Sequence, residues 1–307
     1  ISCNRLLIAF TENSSIKTAS GCCKISVSSG VSSVHKKTGL EKVCIAGGVA
    51  QNSVANGKIT RHTPFKEVYI PSAGHDAGIS MGAAYWVHHQ QAAQQRSAAV
   101  FNACTGSQYS NEEIIAVCKE LNLEYKQVDE ATLFDYVATG LTEGKVVGWF
   151  NGRAEFGPRA LGGRSILADP RREDAKELLN LKIKRRESFR PFAPSILKEQ
   201  VKDWFELDEP VPFMEKVFPI RKEKQAQIPA VTHADGSGRL QTVDKEVSER
   251  YYKLIAAFYQ QTQVPILLNT SFNENEPIVN APEEAIRCYL RTDMDMLVMQ
   301  NIILERN

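Results

Sequence analysis

The stretch Asn151–Arg172, NGRAEFGPRALGGRSILADPRR, constrains this chain more than any other part of it. It follows KVVGWF at 145–150, an apolar run with the length and composition of a buried strand. Its 22 residues include five arginines (Arg153, Arg159, Arg164, Arg171, Arg172), four glycines and two prolines. Arginine keeps its charge and presents a planar fork that pairs with phosphate or carboxylate through two hydrogen bonds. Glycine lets main-chain N–H groups approach an anion closely. With Pro158 and Pro170 stiffening it, the stretch reads as a holder for anionic oxygens. It also reads as a solvated basic loop whose glycines serve only turns.

A chain of 307 residues is long enough for about two domains. Lys plus Arg number 37 against 36 Asp plus Glu, so no global charge draws it to nucleic acid or to a membrane surface. No apolar run reaches the length that spans a bilayer. Seven cysteines without a CxxC pair point to reduced thiols and a cytoplasmic setting, not to a disulfide framework or zinc site. The six histidines are scattered and complete no metal constellation.

Residues 1–37 are rich in Ser, Gly and Thr and read as an unassigned, altered or truncated start. Order begins near Leu40, with a strand at 43–46. Gly47 and Gly48 then turn into a helix over 49–58 that contains Asn52. A strand, a glycine pair and a helix N-terminus can form a phosphate-binding corner, and also a plain turn. A second strand over 65–70 leads through PSAGHDAG to a helix over 79–91, where Asp76 is a helix cap or a metal ligand. The small, polar, aperiodic segment 92–108 marks a domain boundary, which divides the chain into 38–107 and 108–307.

Spacing predicts helices over 111–121 and 130–139 and a short strand at 125–128. Beyond the arginine stretch it predicts a charged helix over 173–183 that ends in KIKRR. Arg190-Pro-Phe-Ala-Pro-Ser195 cannot be helical across two prolines and reads as an extended segment that aims Arg190. A helix over 196–205 and a strand over 213–220 follow, then a loop over 232–238 that delivers Arg239. An apolar stripe from Val247 to Tyr259 predicts a packed helix. A buried strand at 265–268 ends in an Asn269–Asn273 turn, placed where α/β folds keep ligands. The last elements are a helix over 281–291 and a closing strand over 296–304. Arg159, Lys184, Arg190, Arg239 and that turn are the anion-binding candidates. Each alone also reads as an ordinary surface residue.

GGVAQNSVANGKI at 47–59, EFGPRALG at 155–162, RSILADPR at 164–171, KRRESFRPFAPS at 184–195 and LNTSFNENEPIV at 268–279 together resemble the NodU/CmcH family of O-carbamoyltransferases. The resemblance runs from about Thr38 to the C-terminus. It implies an α/β chain, with part of an actin-like, TsaD-type lobe over 38–107 followed by a YrdC-like domain over 108–307. It implies that carbamoyl phosphate and ATP become carbamoyl adenylate. The carbamoyl group then passes to a hydroxyl of a sugar, antibiotic or other secondary metabolite near a divalent metal, commonly iron, with magnesium the other candidate.

Carried over by motif, Arg159, Lys184, Arg190 and Arg239 are the catalytic residues. Gly47, Gly48, Asn52, Arg153, Arg164, Ser195, Asn269 and Ser271 bind substrate or ATP, and Asp76 ligates metal. Partners are small molecules, with a second copy or a separately encoded N-terminal half also open. Family members are nearly twice as long, and the His-x-x-x-His pair that supplies their other metal ligands has no counterpart in this sequence. The expectation is therefore a fragment or a truncated product. Two functions remain open: a carbamoyltransferase, or a non-catalytic phosphate-binding remnant that works through a partner subunit.

Overall fold

Apolar runs of strand length organise this chain, and in the computed structural model they form two separate sheets. Residues 6–9, 22–91, 95, 98–187 and 189–306 are described. They fall into two units: residues up to Phe101 together with Phe213–Val217, and Asn102–Pro212 together with the residues from Phe218 onward. No described helix is long and apolar enough to cross a membrane.

In the first unit, β1 (Leu6–Ala9), β2 (Lys42–Ala46) and β3 (Glu67–Tyr69) form a parallel sheet in that order. Parallel neighbours need a crossover, and α1 (Cys22–Thr38) supplies it. Within the segment read as unassigned, 1–37, the described residues thus hold β1 and most of α1. The Ser-rich composition hides the helix, which is stabilised by burial of residues such as Val31 and not by propensity. The expected helix over 49–58 is broken. A 3₁₀ turn at Gly48–Gln51 is followed by α2 (Ser53–Asn56) and α3 (Ile59–His62). Asn52 Oδ1 accepts from Ala55 N at 3.1 Å, restarting the helix after the turn. Such short pieces carry little aligned dipole, so the helix-dipole part of the phosphate-corner reading is lost. The helix expected over 79–91 is α4 (Gly78–Trp86) with a π turn at Val87–Gln91.

The second unit is a mixed α/β assembly on a nine-stranded sheet, in the order β4-β12-β11-β5-β6-β10-β7-β9-β8. The strands are β4 (Lys126–Gln127), β5 (Val147–Phe150), β6 (Arg164–Ala168), β7 (Ala193–Leu197), β8 (Lys216–Pro219), β9 (Ser237–Val243), β10 (Ile266–Ser271), β11 (Met296–Met299) and β12 (Ile302–Glu305). The helices are α5 (Asn111–Glu120), α6 (Glu130–Thr142), α7 (Ala175–Leu178), α8 (Val201–Trp204), α9 (Lys222–Gln225), α10 (Glu249–Thr262) and α11 (Pro282–Arg291). Ser110 and Glu113 close a capping box on α5. The stripe predicted on α10 buries Tyr251, Leu254, Ile255 and Phe258.

Several boundaries differ from the sequence reading. The helix over 173–183 is α7 followed by a π turn at Leu179–Ile183. Residues 196–197 continue β7 instead of starting a helix, because their side chains are needed in the core of the sheet. Asn269 and Ser271 lie in β10 rather than in a turn, and Arg239 lies within β9. The closing strand is a hairpin, β11 and β12, reversed at Gln300 with φ 52°.

The β5–β6 connection carries the first part of the arginine stretch, with Arg153 and Arg159, while Arg164 lies in β6 and Arg171 and Arg172 follow it. The ends of the connection are drawn together by Asn151 N donating to Gly163 O at 2.9 Å. Glu155 Oε1 accepts from Leu161 N at 2.6 Å and Gly163 N at 2.7 Å, so one carboxylate folds the loop around itself. Gly162 has φ 104°, and a Cβ there would sit 2.2 Å from a Tyr251 ring carbon. Both the backbone conformation and the space exclude a side chain. Gly162→Ala is expected to lower stability by at least about 2 kcal/mol, read as a lower urea midpoint. An unchanged midpoint would contradict the close packing of Tyr251 on this loop.

Candidate functional site

Five central strands build the floor of the site. In-register partners share a sheet face, as do alternate residues of a strand. Trp149 pairs with Ser165, Ser165 with Ser271, Leu267 with Ser195, and Ser195 with Gln241. Trp149, Ser165, Ser271, Asn269, Ser195, Gln241 and Arg239 therefore stand on one face. The β5–β6 loop lies over this face and is held by it. Trp149 Nε1 donates to Gly162 O at 2.9 Å, and Gly162 N donates to Ser165 Oγ at 3.0 Å. Gln241 Nε2 donates to Leu161 O at 2.8 Å, and Asn269 Nδ2 to Ala160 O at 3.2 Å. Ser195 Oγ donates to Gln241 Oε1 at 2.6 Å and accepts from Asn269 at 3.1 Å. The two carbonyls that follow Arg159 are thus clamped from below by side chains of β9 and β10.

Arg239 lies two residues before Gln241 on the same face. It faces the charges of Arg159 and Arg186; burial first, and then those two charges, push its guanidinium down to about 9. Its Nε is buried without a hydrogen-bond partner. Burial also lowers Arg159, and burial followed by the charge of Arg190 lowers Arg186. Arg186 is aimed by its Nε, which donates to Asn180 Oδ1 at 2.7 Å, and it lies 5.0 Å from the Phe192 ring centroid. Among the described residues none of the three forms an ion pair. By contrast, Arg171 pairs with Asp169, Arg172 with Asp174, and Arg250 with Glu130. Glu187 offsets the charge of Arg186 in part, but three guanidinium groups gathered without an ion pair can hold a polyanion.

The other sequence candidates have different surroundings. Lys184 is buried, and its Nζ donates to Ser271 O (2.5 Å), Asn273 Oδ1 (2.7 Å), Asn273 O (2.8 Å) and Ser271 Oγ (3.2 Å). Burial, and then the charge of Arg186, push it down to about 7. Here it ties the 184–187 segment to the end of β10. Arg185 takes φ 43° and pairs with Glu274. Arg164 is buried, donates to four main-chain carbonyls and stacks on Phe150 at 3.6 Å. Arg153 is exposed and donates to Gly106 O at 3.1 Å. Arg190 is exposed at the end of the same segment, 3.9 Å from Glu187.

Ser195 and Asn269 are buried; Ser195 Oγ and Asn269 Nδ2 are directed at protein partners, and Asn269 Oδ1 has none among the described residues. Gly47, Gly48 and Asn52 belong to the first unit, where Gly47 N donates to Gly74 O at 2.6 Å. Asp76 is exposed ahead of α4. Among the described residues no three His, Cys, Asp or Glu side chains are grouped to hold a metal. They do not fit the implied metal, and no step is derived through one.

Arg186, Gln241, Glu155 and His233 were missed from sequence. Gln241 carried a usable signal: it is an amide between Leu240 and Val243 in a strand-forming run, where an unsatisfied buried polar group is costly. Arg186 was masked by the charge run around it.

Residues 138–306 match the family described as Carbamoyltransferase C-terminus, and residues 8–85 the one described as Carbamoyltransferase N-terminus. The chain belongs to the carbamoyltransferase family. The match from residue 8 extends the resemblance expected only from about Thr38. An uncharacterized protein of Synechocystis sp. is 46% identical over 300 residues, covering 89% of this chain and 49% of that protein. Nodulation protein NolNO of Sinorhizobium fredii is 42% identical, covering 88% of this chain and 40% of that protein. Nodulation protein NolO of Bradyrhizobium diazoefficiens is 41% identical, covering 89% and 50%. The chain spans about half the length of these relatives or less. A crystal structure of full-length HypF in its phosphate- and nucleotide-bound form overlaps 60% of this chain and 23% of that chain, with 19% identity and a TM-score of 0.39.

Gln241→Leu keeps the side-chain volume and strands Leu161 O and the hydroxyl of Ser195. It is expected to cost about 1–3 kcal/mol of stability and to weaken anion binding as the Arg159 loop loosens. Urea unfolding and a sulfate titration read the two effects. A variant with wild-type values in both would show that the clamp does not position the loop.

Proposed function

We propose that this chain provides the carbamoyl-adenylate-forming part of an O-carbamoyltransferase, with the second unit acting as its YrdC-like domain. The observation that carries this reading is the Arg159–Arg186–Arg239 cluster, in which no guanidinium forms an ion pair among the described residues. Carbamoyl phosphate and ATP bring their negative charges into one place, and such chemistry depends mainly on positioning and charge stabilisation. Water cleaves carbamoyl phosphate to carbamate and phosphate. A carbamate oxygen then attacks the α-phosphorus of ATP, and the bond to the β-phosphate oxygen breaks, giving carbamoyl adenylate and pyrophosphate. Guanidinium groups already fixed by Asn180, Phe192 and the strand face need no reorganisation as charge shifts to the leaving oxygens. Arg190 stands at the exposed end of this set and assists the entry of anions.

The carbamoyl group then passes to a hydroxyl of a sugar, antibiotic or other secondary metabolite, a step assigned to the whole protein and not to these residues. A separately encoded N-terminal half or a second copy of the chain remains the proposed partner for it. A cytoplasmic setting is part of this proposal and is supported by the seven cysteines without a CxxC pair.

Incubation with carbamoyl phosphate and ATP should release pyrophosphate only when both are present. Arg159→Ala and Arg239→Ala should each lower the rate about 100- to 1000-fold with the fold intact. Arg159→Lys should also be poor, because a point charge does not replace the fork. A folded protein that releases no pyrophosphate would favour a non-catalytic phosphate-binding role, and near-normal turnover in both alanine variants would sink the assignment of the cluster.

A further inference from the structure

One titratable group beside the cluster has no task in the account above. His233 lies on the loop before β9, and its position is fixed by a short relay. Asp235 Oδ1 accepts from Ser237 N at 3.1 Å and from Ser237 Oγ at 2.5 Å. The single hydroxyl proton of Ser237 is therefore given to Asp235, a carboxyl held below its ordinary range by that same bond. His233 Nδ1 lies 3.2 Å from Ser237 Oγ. With its own proton spent, the hydroxyl can only accept from His233, so Nδ1 carries the proton and Nε2 of the neutral ring is a bare acceptor. That Nε2 is buried without a partner. Acceptors of this kind are rare unless something else arrives to satisfy them.

The charged groups facing the ring are Asp235 on its own loop, Arg239 on β9 and Lys176 on α7. Burial comes first in holding the ring below its ordinary 6.5; Asp235 opposes this, while Arg239 and Lys176 add to it. The ring is thus neutral at pH 7 while the cluster is empty.

Resting on the polyanion reading of the cluster, we propose that His233 takes up a proton at Nε2 when a phosphate-type anion binds beside Arg239, and donates it to that anion. The anion offsets the two positive charges that disfavour the imidazolium, and it supplies the acceptor that a protonated Nε2 lacks. The relay to Asp235 keeps Nδ1–H in place throughout, so the proton gained goes to Nε2 and to no other atom. The site thereby acquires a further charged donor that exists only while it is filled, and that proton is available to a departing phosphate oxygen. His233 is a proton-donating contact of the ligand, beyond the arginines that hold it.

Sulfate is the probe, because its charge does not change between pH 5 and 9. The imidazole resonance of His233 is assigned by its absence in His233→Gln, and its titration is followed in the full chain with and without saturating sulfate. Sulfate should raise its midpoint by about one unit or more. By linkage, a one-unit shift means that sulfate affinity should fall about tenfold in all as pH rises from well below the free midpoint to well above the bound one. The sign follows from tighter binding to the protonated ring. In His233→Gln sulfate should still bind, without this dependence. Sulfate that binds without moving the midpoint, or an equal pH dependence in His233→Gln, overturns this inference and leaves the anion site standing. A folded protein that does not bind sulfate overturns the anion site, and this inference with it.

Discussion

The hydrogen bonds that Gln241 and Asn269 donate to Leu161 O and Ala160 O are the contact on which the second unit turns. Both side chains are buried on a sheet face, where an unpaired amide would cost more than the bond itself contributes. Each is paid off by a carbonyl of the β5–β6 loop, with Ser195 bridging them. The loop therefore cannot leave the face without stranding several buried polar groups at once. Tyr251 packed against Gly162 adds a steric limit to the electrostatic one. Arg159 follows from this arrangement, since it is the residue just before the two clamped carbonyls.

The charge arrangement is costly on its own. Burying guanidinium groups near one another disfavours the charged forms, and the lowered proton affinities of Arg159, Arg186 and Arg239 express that cost. Elsewhere on the chain arginines are neutralised locally, as Arg171 is by Asp169 in the same loop. The contrast between neutralised Arg171 and Arg159, on the other side of β6, separates structural charge from charge held for a ligand. Arg164 shows a third case: it is buried like a ligand-binding group, yet its two terminal nitrogens donate to main-chain carbonyls and its plane rests on Phe150.

Local pattern was a good guide to elements with one clear period. The α10 stripe and the buried strand at 147–150 were legible because burial acts on spacing directly. It was a poor guide wherever a neighbour supplied the reason for the structure. Ile196 and Leu197 are apolar residues that suit a helix or a strand equally, and only pairing with β10 and β9 makes them strand. The Ser-rich α1 has almost no helical signature of its own. The hairpin at Gln300 depends on a left-handed residue that is not glycine.

The sequence by itself determined that an arginine-rich, glycine- and proline-framed loop follows a buried strand, and its motifs carried the resemblance to a carbamoyltransferase. Those properties reside in residue type and order, which the chain carries without folding. Which arginines are left without an ion pair was decided only in three dimensions. Lys184, Arg185 and Arg186 are consecutive, yet one is caged by Ser271 and Asn273, one pairs with Glu274, and one turns to Arg239. Charge in a chain is a property of the residue. Its compensation is a property of distance, and distances between β6, β9 and the 184–187 segment exist only once the sheet has formed.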